Sequence, residues 1–453
     1  MKIRLVILML LSLCAVFSST CLGESIYVHP QNGSDSSKGD FSAPFRTLKK
    51  AVSVVMPGDT IHLYPMVYQE SLEFRNNKSG TPDKPIVVEG HGAIIDGAVP
   101  LVLSSWEKLP DGIYKNTKLP LIKGFDISRY NFFFNNEMIR MGRTSKGIKA
   151  PFKPYESLKQ GEWTYSESES AFYIKTAPGT SLTSYKITAP ILSNGVSFTS
   201  CSYVTIKNIT AMRVINDGFN IHGDCVGLYF ENITARDCGD DGFSAHENSL
   251  VRVNGFTSIG NSTGVCSINN SSSEMANILI KDCIGHDIFF PQGGVNVIRN
   301  CVVLSSSQKG ITVGAQPDLN FYSTLIFDNL LVIRNGDPIS IRVSVGGTLK
   351  INAALLSGIG LINEGTASLT NAVIGGDKGV SLEIRKDATW KANQNQYGLS
   401  AISLFGKVFT KEDFSEYKSI TRQDSQSSWD LTTIDIKSQY GKAGVNIDLL
   451  PKF

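Results

Sequence analysis

Short runs of alternating apolar and polar residues recur along most of the chain. The segment 202–210, SYVTIKNIT, is followed 24 residues later by 226–234, VGLYFENIT. Looser copies stand at 251–257 (VRVNGFT), 278–283 (ILIKDC) and 295–301 (VNVIRNC). A second short strand follows in each unit, clearest in 218–222 (GFNIH) and 242–246 (GFSAH). Alternation places Val, Ile, Tyr and Phe on one face of each strand. Strands this short, repeating about every 18–24 residues without helices between them, do not build a sheet of βαβ units; they predict a coil of parallel strands. The expected fold is all-β, a right-handed parallel β-helix in which equivalent residues of successive turns stack about 4.8 Å apart. Asn208, Asn232, Asp282 and Asn300 are expected to form one polar ladder at a turn. Asn208 and Asn232 also satisfy N-x-T, but a strand-edge ladder is the structural reading of both.

A coil of strands needs covered ends. Residues 42–55, SAPFRTLKKAVSVV, predict an N-terminal capping helix: Ser42 can cap it, Pro44 suits its first turn, and Leu48, Ala51, Val52 and Val55 share one face. The chain then divides into a cap with first turns (24–99), an insertion that breaks the period (100–190), the coil (191–403) and a polar C-terminal cap or tail (404–453). Residues 1–23 read as a leader. Lys2 and Arg4 precede an apolar run from Leu5 to Val16, too short to span a membrane, and cleavage is expected before Glu24. Secretion follows; a lipid anchor at Cys21 is the alternative. The segments 25–29 (SIYVH), 58–63 (GDTIHL), 68–70 (YQE), 85–90 (PIVVEG) and 94–97 (IIDG), with the helix, resemble the N-terminal region of the pectate-lyase-like β-helix superfamily. That likeness implies the fold and leaves the reaction open.

Composition narrows the partners. The 453 residues carry a net charge of +2, which offers no field for a nucleic acid. No later segment has the unbroken apolar length of a transmembrane helix, and a monomer is expected. Six cysteines follow the leader: Cys201, Cys225, Cys238, Cys266, Cys283 and Cys301. An oxidising compartment would permit disulfides, and buried free thiols are the equal alternative.

Candidate chemistry converges on two consecutive turns, 215–224 (INDGFNIHGD) and 238–247 (CGDDGFSAHE). Alternation turns Phe219, Ile221, Phe243 and Ala245 inward. The outward set is Asp217, Asn220 and His222 on one turn, with Asp241, Ser244 and His246 on the next, flanked by Asp240 and Glu247. Stacked carboxylates repel unless a cation or proton lies between them, and stacked imidazoles tend to stay neutral, which suits a general base. The four other histidines, His29, His62, His91 and His286, are assigned elsewhere. Residues 242–247, GFSAHE, are similar to the motif around the catalytic histidine of mannuronan C5-epimerases. That resemblance implies that His246 removes the C5 proton of a uronate. The order of Asn216-Asp217 and Asp240-Asp241 resembles polygalacturonase-type hydrolases, which need carboxylates about 6.5–9.5 Å apart. His222-Gly-Asp224 is faintly similar to a motif of chondroitinase-B-like and alginate lyases, with Ile221 in place of the arginine.

The leading reading is a secreted lyase or epimerase acting on a uronic-acid-containing polysaccharide. His246 is the base, His222 a second acid/base or orienting group, Asp241 with Asp240 the charge or metal partners, and Asp217 a further catalytic candidate. Asn220, Ser244 and Glu247 are expected to touch substrate. No metal is assigned; Ca2+ could enter through Asp217, Asp240, Asp241 and Glu247, which are hard oxygen ligands. The alternatives are a glycoside hydrolase using the paired aspartates and a non-catalytic glycan-binding or adhesion coil.

Overall fold

The strand Val204–Met212 shows how the coil is built. Val204, Ile206, Ile209 and Ala211 are buried, and the alternation changes phase at Asn208, whose φ of 55° bends the chain. Left-handed backbone is tolerated by asparagine better than by most residues. One long strand is therefore two short ones meeting at a corner. The next turn repeats it in parallel, with Thr205 paired to Tyr229, and Tyr229 to Arg252. Repetition yields a 14-stranded sheet folded at this corner and a 12-stranded second sheet facing it. Both turn their apolar side chains into one continuous core running from Ile26 to Trp429.

This computed structural model describes residues 23–119, 124, 126–139, 144–145, 148–149, 152–431 and 440–451. The predicted leader, apart from Gly23, lies outside the described residues. Among the described residues no helix is long and apolar enough to cross a membrane.

The asparagine ladder exists with one change of membership. Asn232 Nδ2 donates to Asn208 Oδ1 at 2.7 Å, and Asn300 Nδ2 to Asn277 Oδ1 at 2.7 Å. Asp282 does not belong to it. It lies at the following corner with Arg213 and Asp237, all three at positive φ. The sequence offered two kinds of left-handed corner in each turn, and a polar residue fits either.

The N-terminal helix is shorter than its pattern, Leu48–Val54, and is capped by Thr47, whose hydroxyl accepts from Lys50 N at 3.0 Å. Ser42 and Pro44 lie outside it; Asp40 holds Ser42 in a preceding turn. Glu70 takes over part of the capping, accepting from Leu48 N at 2.8 Å and Lys49 N at 3.0 Å. The apolar face lies where the spacing puts it: Leu48, Ala51 and Val52 are buried beside the first strands.

The period-breaking segment forms two antiparallel four-stranded sheets and a two-stranded one, with its own aromatic core including Phe132, Trp163 and Phe172. Ile215 of the coil enters that core. The insertion is thereby seated one residue before the Asn216-Asp217 pair. At the far end, the helix Phe414–Thr421 and Trp429 pack against the last turns, with Trp390 Nε1 donating to Tyr417 Oη at 2.9 Å. Residues 440–451 lie on the outside of the coil, where Ala443 and Val445 pack with Leu279, Val302 and Leu331.

All six cysteines are buried free thiols, so the disulfide alternative is not realised. Burial and the neighbouring Cys225 push the Cys201 thiol above its ordinary value.

Candidate functional site

The second sheet carries the site on its outer surface. Strand Phe219–His222 pairs in parallel with Asp241–Ala245, with Phe219 beside Phe243 and Asn220 beside Ser244. Phe219 and Phe243 fill the core, so Asn220 and Ser244 project outward, as the period-2 pattern requires. Three glycines allow these turns to approach. A Cβ on Gly195 would lie 2.7 Å from Gly218 O, one on Gly218 2.9 Å from Gly242 O, and one on Gly242 2.8 Å from Gly264 O. The residues before these three glycines and before Gly264 then fall into one column: Asn194, Asp217, Asp241 and Thr263.

The two predicted histidines meet. Their rings stack with centroids 4.1 Å apart and planes 19° from parallel. His222 Nδ1 lies 3.2 Å from Glu247 Oε2, which also accepts from Gly223 N at 2.8 Å. On the neighbouring turn Ser244 Oγ donates to Asp241 Oδ2 at 2.8 Å and lies 2.8 Å from His246 Nε2. A serine hydroxyl has one proton. Once that proton is given to Asp241, the serine oxygen can only accept from His246, so the imidazole carries its hydrogen on Nε2 and its basic lone pair on Nδ1.

The aspartates are placed differently from expectation. Asp217, Asp240, Asp241, Asn220 and Ser244 all leave the coil outward, yet none faces open solvent: each is no more than 5% exposed. The insertion covers this end, and Arg129 places Nη2 2.9 Å from Asp240 Oδ2 while Nη1 donates to Asn216 Oδ1. Asp217 is held by Asn220 Nδ2 at 2.7 Å and by the amide N–H of Asp241 at 2.9 Å. The His222 and Glu247 side chains remain 44% exposed. The exposed part of the site is therefore its imidazole end.

Three participants escaped the sequence reading. Arg129 lies in the segment without a period, where nothing signalled it. Asn194 accepts from Asn220 Nδ2 at 3.2 Å and Asn216 Nδ2 at 3.0 Å. Its place was legible, since Asn194-Gly195 repeats the Asp217-Gly218 and Asp241-Gly242 pairs one turn earlier. His286 was assigned elsewhere, but it continues the same column: Asp241 pairs with Thr263, and Thr263 with His286. It is buried against Phe289.

Two groups could hold a cation. Carboxylate oxygens of Asp217, Asp240 and Asp241 lie within 4.8 Å of one another, and so do ligand atoms of His222, His246 and Glu247. The first set is all hard oxygen, which fits Ca2+; the second mixes imidazole and carboxylate.

Residues 26–329 match the family described as "Pel9A-like, right handed beta helix region". The chain belongs to that family. Among curated relatives, pectate lyase PEL9 of Emericella nidulans is 38% identical over 79 residues, covering 17% of this chain and 19% of the relative. The uncharacterized protein YwoF of Bacillus subtilis is 37% identical over 78 residues, covering 17% and 16%. The matches thus span under a fifth of either relative. A solved glycoside hydrolase is similar in fold, with a TM-score of 0.54 at 11% identity, covering 94% of this chain and all of that one. The family establishes the pectate-lyase-like β-helix expected from the N-terminal segments.

Proposed function

We propose that the protein is a secreted carbohydrate-active enzyme that abstracts the C5 proton of a uronic acid in a polysaccharide, as a lyase or an epimerase. The observation that carries this reading is the Asp241–Ser244–His246 chain, with both contacts at 2.8 Å, ending on a part-exposed imidazole. A C5 proton is weakly acidic because its removal pushes charge onto the adjacent carboxylate. The reaction therefore needs a positioned neutral base and donors or positive charge near the developing anion. Asp241, through Ser244, fixes the His246 tautomer and supports the imidazolium formed when Nδ1 takes the proton. His222 is oriented by Glu247, which accepts its Nδ1–H and leaves Nε2 directed away from that carboxylate. Protonated on Nε2 as well, with Glu247 facing Nδ1, it can give its Nε2 proton to the sugar or to the leaving oxygen.

The oxygens of Asp217, Asp240 and Asp241 would hold Ca2+, which when bound would supply positive charge behind the imidazoles. Arg129 already gives this buried group one positive partner. A hydrolase would instead need one carboxylic acid and one carboxylate open to the glycosidic oxygen and to water. The burial of all three aspartates favours the histidine-centred reading.

Turnover of three variants on a polyuronate separates the mechanisms, after circular dichroism confirms that each folds. His246→Ala should lower kcat by at least about 100-fold, the range for loss of a general base. Ser244→Ala should lower kcat by less and leave KM near its original value, as expected of a positioning residue. Asp217→Asn should reduce turnover only in part. Abolition by Asp217→Asn with near-normal turnover in His246→Ala would overturn the assignment in favour of hydrolysis.

A further inference from the structure

We infer that His222, His246 and Glu247 form a second cation site, selective for a Zn2+-class ion, whose occupancy silences the enzyme. The regulatory half rests on the catalytic role proposed above for His246; the binding half does not. The three side chains come from two successive turns and one corner. Their ligand atoms lie within 4.8 Å of one another. His222 Nδ1 and Glu247 Oε2 are 3.2 Å apart. Two ligands of a tetrahedral ion with bonds of about 2.0–2.1 Å are separated by roughly 3.3 Å, so this pair already spans one edge of a zinc polyhedron. Imidazole nitrogen is a preferred ligand of Zn2+ and a poor one for Ca2+. The aspartate cluster has the opposite preference, and the fold sets the two donor sets side by side, joined through Ser244.

The surroundings suit a three-ligand metal site with an open fourth position. Glu247 sits at the corner with φ of 51° and is anchored by Gly223 N, which directs its carboxylate back toward His222. The Nε2 atom of His246 is oriented by Ser244, the outer-shell support that metal-bound imidazoles commonly have. The stacked rings are nearly parallel, so their lone pairs do not yet converge. Convergence requires rotation of an imidazole about χ2, and the 44% exposure of the His222 side chain leaves room for it. An ion held by His246 withdraws its basic lone pair, and C5 proton abstraction stops. Removing the ion restores it.

The test uses the whole protein and Co2+ as the spectroscopic probe for Zn2+. Titration should produce the visible ligand-field absorption of a tetrahedral cobalt site at one ion per chain, displaced by Zn2+ and not by Ca2+. His222→Ala and Glu247→Gln should each weaken binding by at least about 100-fold, more than loss of an outer-shell partner usually does. Asp217→Asn should leave it within a few-fold. The site is overturned if no such band forms, or if Asp217→Asn removes binding while His222→Ala does not. Turnover of chelator-treated protein resupplied with Ca2+ should fall on a polyuronate with the same Zn2+ concentration that saturates the site; full turnover at saturation overturns the silencing. A cobalt band in a protein that consumes no uronate would sink the catalytic reading alone and leave the site standing.

Discussion

At the scale of single residues, burial decides what each ionisable group can do. Asp287 is almost wholly buried. Its Oδ2 accepts from Ser305 and Ser307 at 2.7 and 2.8 Å, while Oδ1 is buried with no hydrogen-bond partner among the described residues. Burial raises its pKa to about 6, against the hydrogen bonds and the charge of Arg334, which act to lower it. The unfolded chain loses this proton near the ordinary value of 3.8. Between those values the folded state holds a proton that the unfolded state has released, so stability falls as pH rises through the window. The full cost above it is on the order of 3 kcal/mol. Asp287→Asn should flatten that part of the stability curve and be no less stable than the parent at pH 7. Urea midpoints at pH 4 and pH 7 check this, and an unchanged pH dependence would show that the carboxyl ionises freely. The site residues show the same principle in sequence terms. Alternation correctly identified which side of each strand Asp217, Asn220, Ser244 and His246 would leave by. It could not say which would then be covered, because Arg129 belongs to a segment with no period.

Among the elements, the left-handed corners carry the register. Asn277 occupies one with φ of 61°, donating to Asn254 Oδ1 and accepting from Asn300 Nδ2 at 2.7 Å each. Asn277→Gly keeps the backbone geometry and loses only the side-chain bonds. Asn277→Ala loses the bonds and keeps a Cβ in the left-handed region without the polar side chain that lets asparagine tolerate it, a strain of about 1–2 kcal/mol that glycine avoids. Alanine should therefore be the more destabilising of the two by about 1 kcal/mol in denaturant melts. Equal destabilisation would place the whole effect in the amide ladder. The existence of this ladder was legible from Asn208 and Asn232, separated by one repeat. Its membership was less so, since Asp282 stands at the other corner of its turn. The N-terminal helix followed the same rule: the apolar spacing of Leu48, Ala51 and Val52 was informative, while the start was misplaced. Ser42 and Thr47 are both capping residue types, and tertiary contacts distinguish them: Asp35 accepts from Thr47, and Glu70 from the first helical amides.

For the whole molecule, the coil supplies position and the insertion supplies enclosure. Stacked turns bring His222 over His246 and Asp217 beside Asp241, which a repeat of 24 residues makes readable in advance. The docking of the insertion through Ile215 and Arg129 has no counterpart in the repeat, and it converts an expected open polar face into a half-covered one. That enclosure shields the carboxylates and leaves the imidazoles at the surface. The central claim, removal of the C5 proton by His246, is tested most directly by proton magnetic resonance of a polyuronate incubated with the protein in deuterium oxide. The C5–H signal should disappear, replaced by an unsaturated sugar signal in a lyase or by deuterium at C5 in an epimerase, and neither change should occur with His246→Ala. New reducing ends formed with every C5–H signal intact would contradict the account.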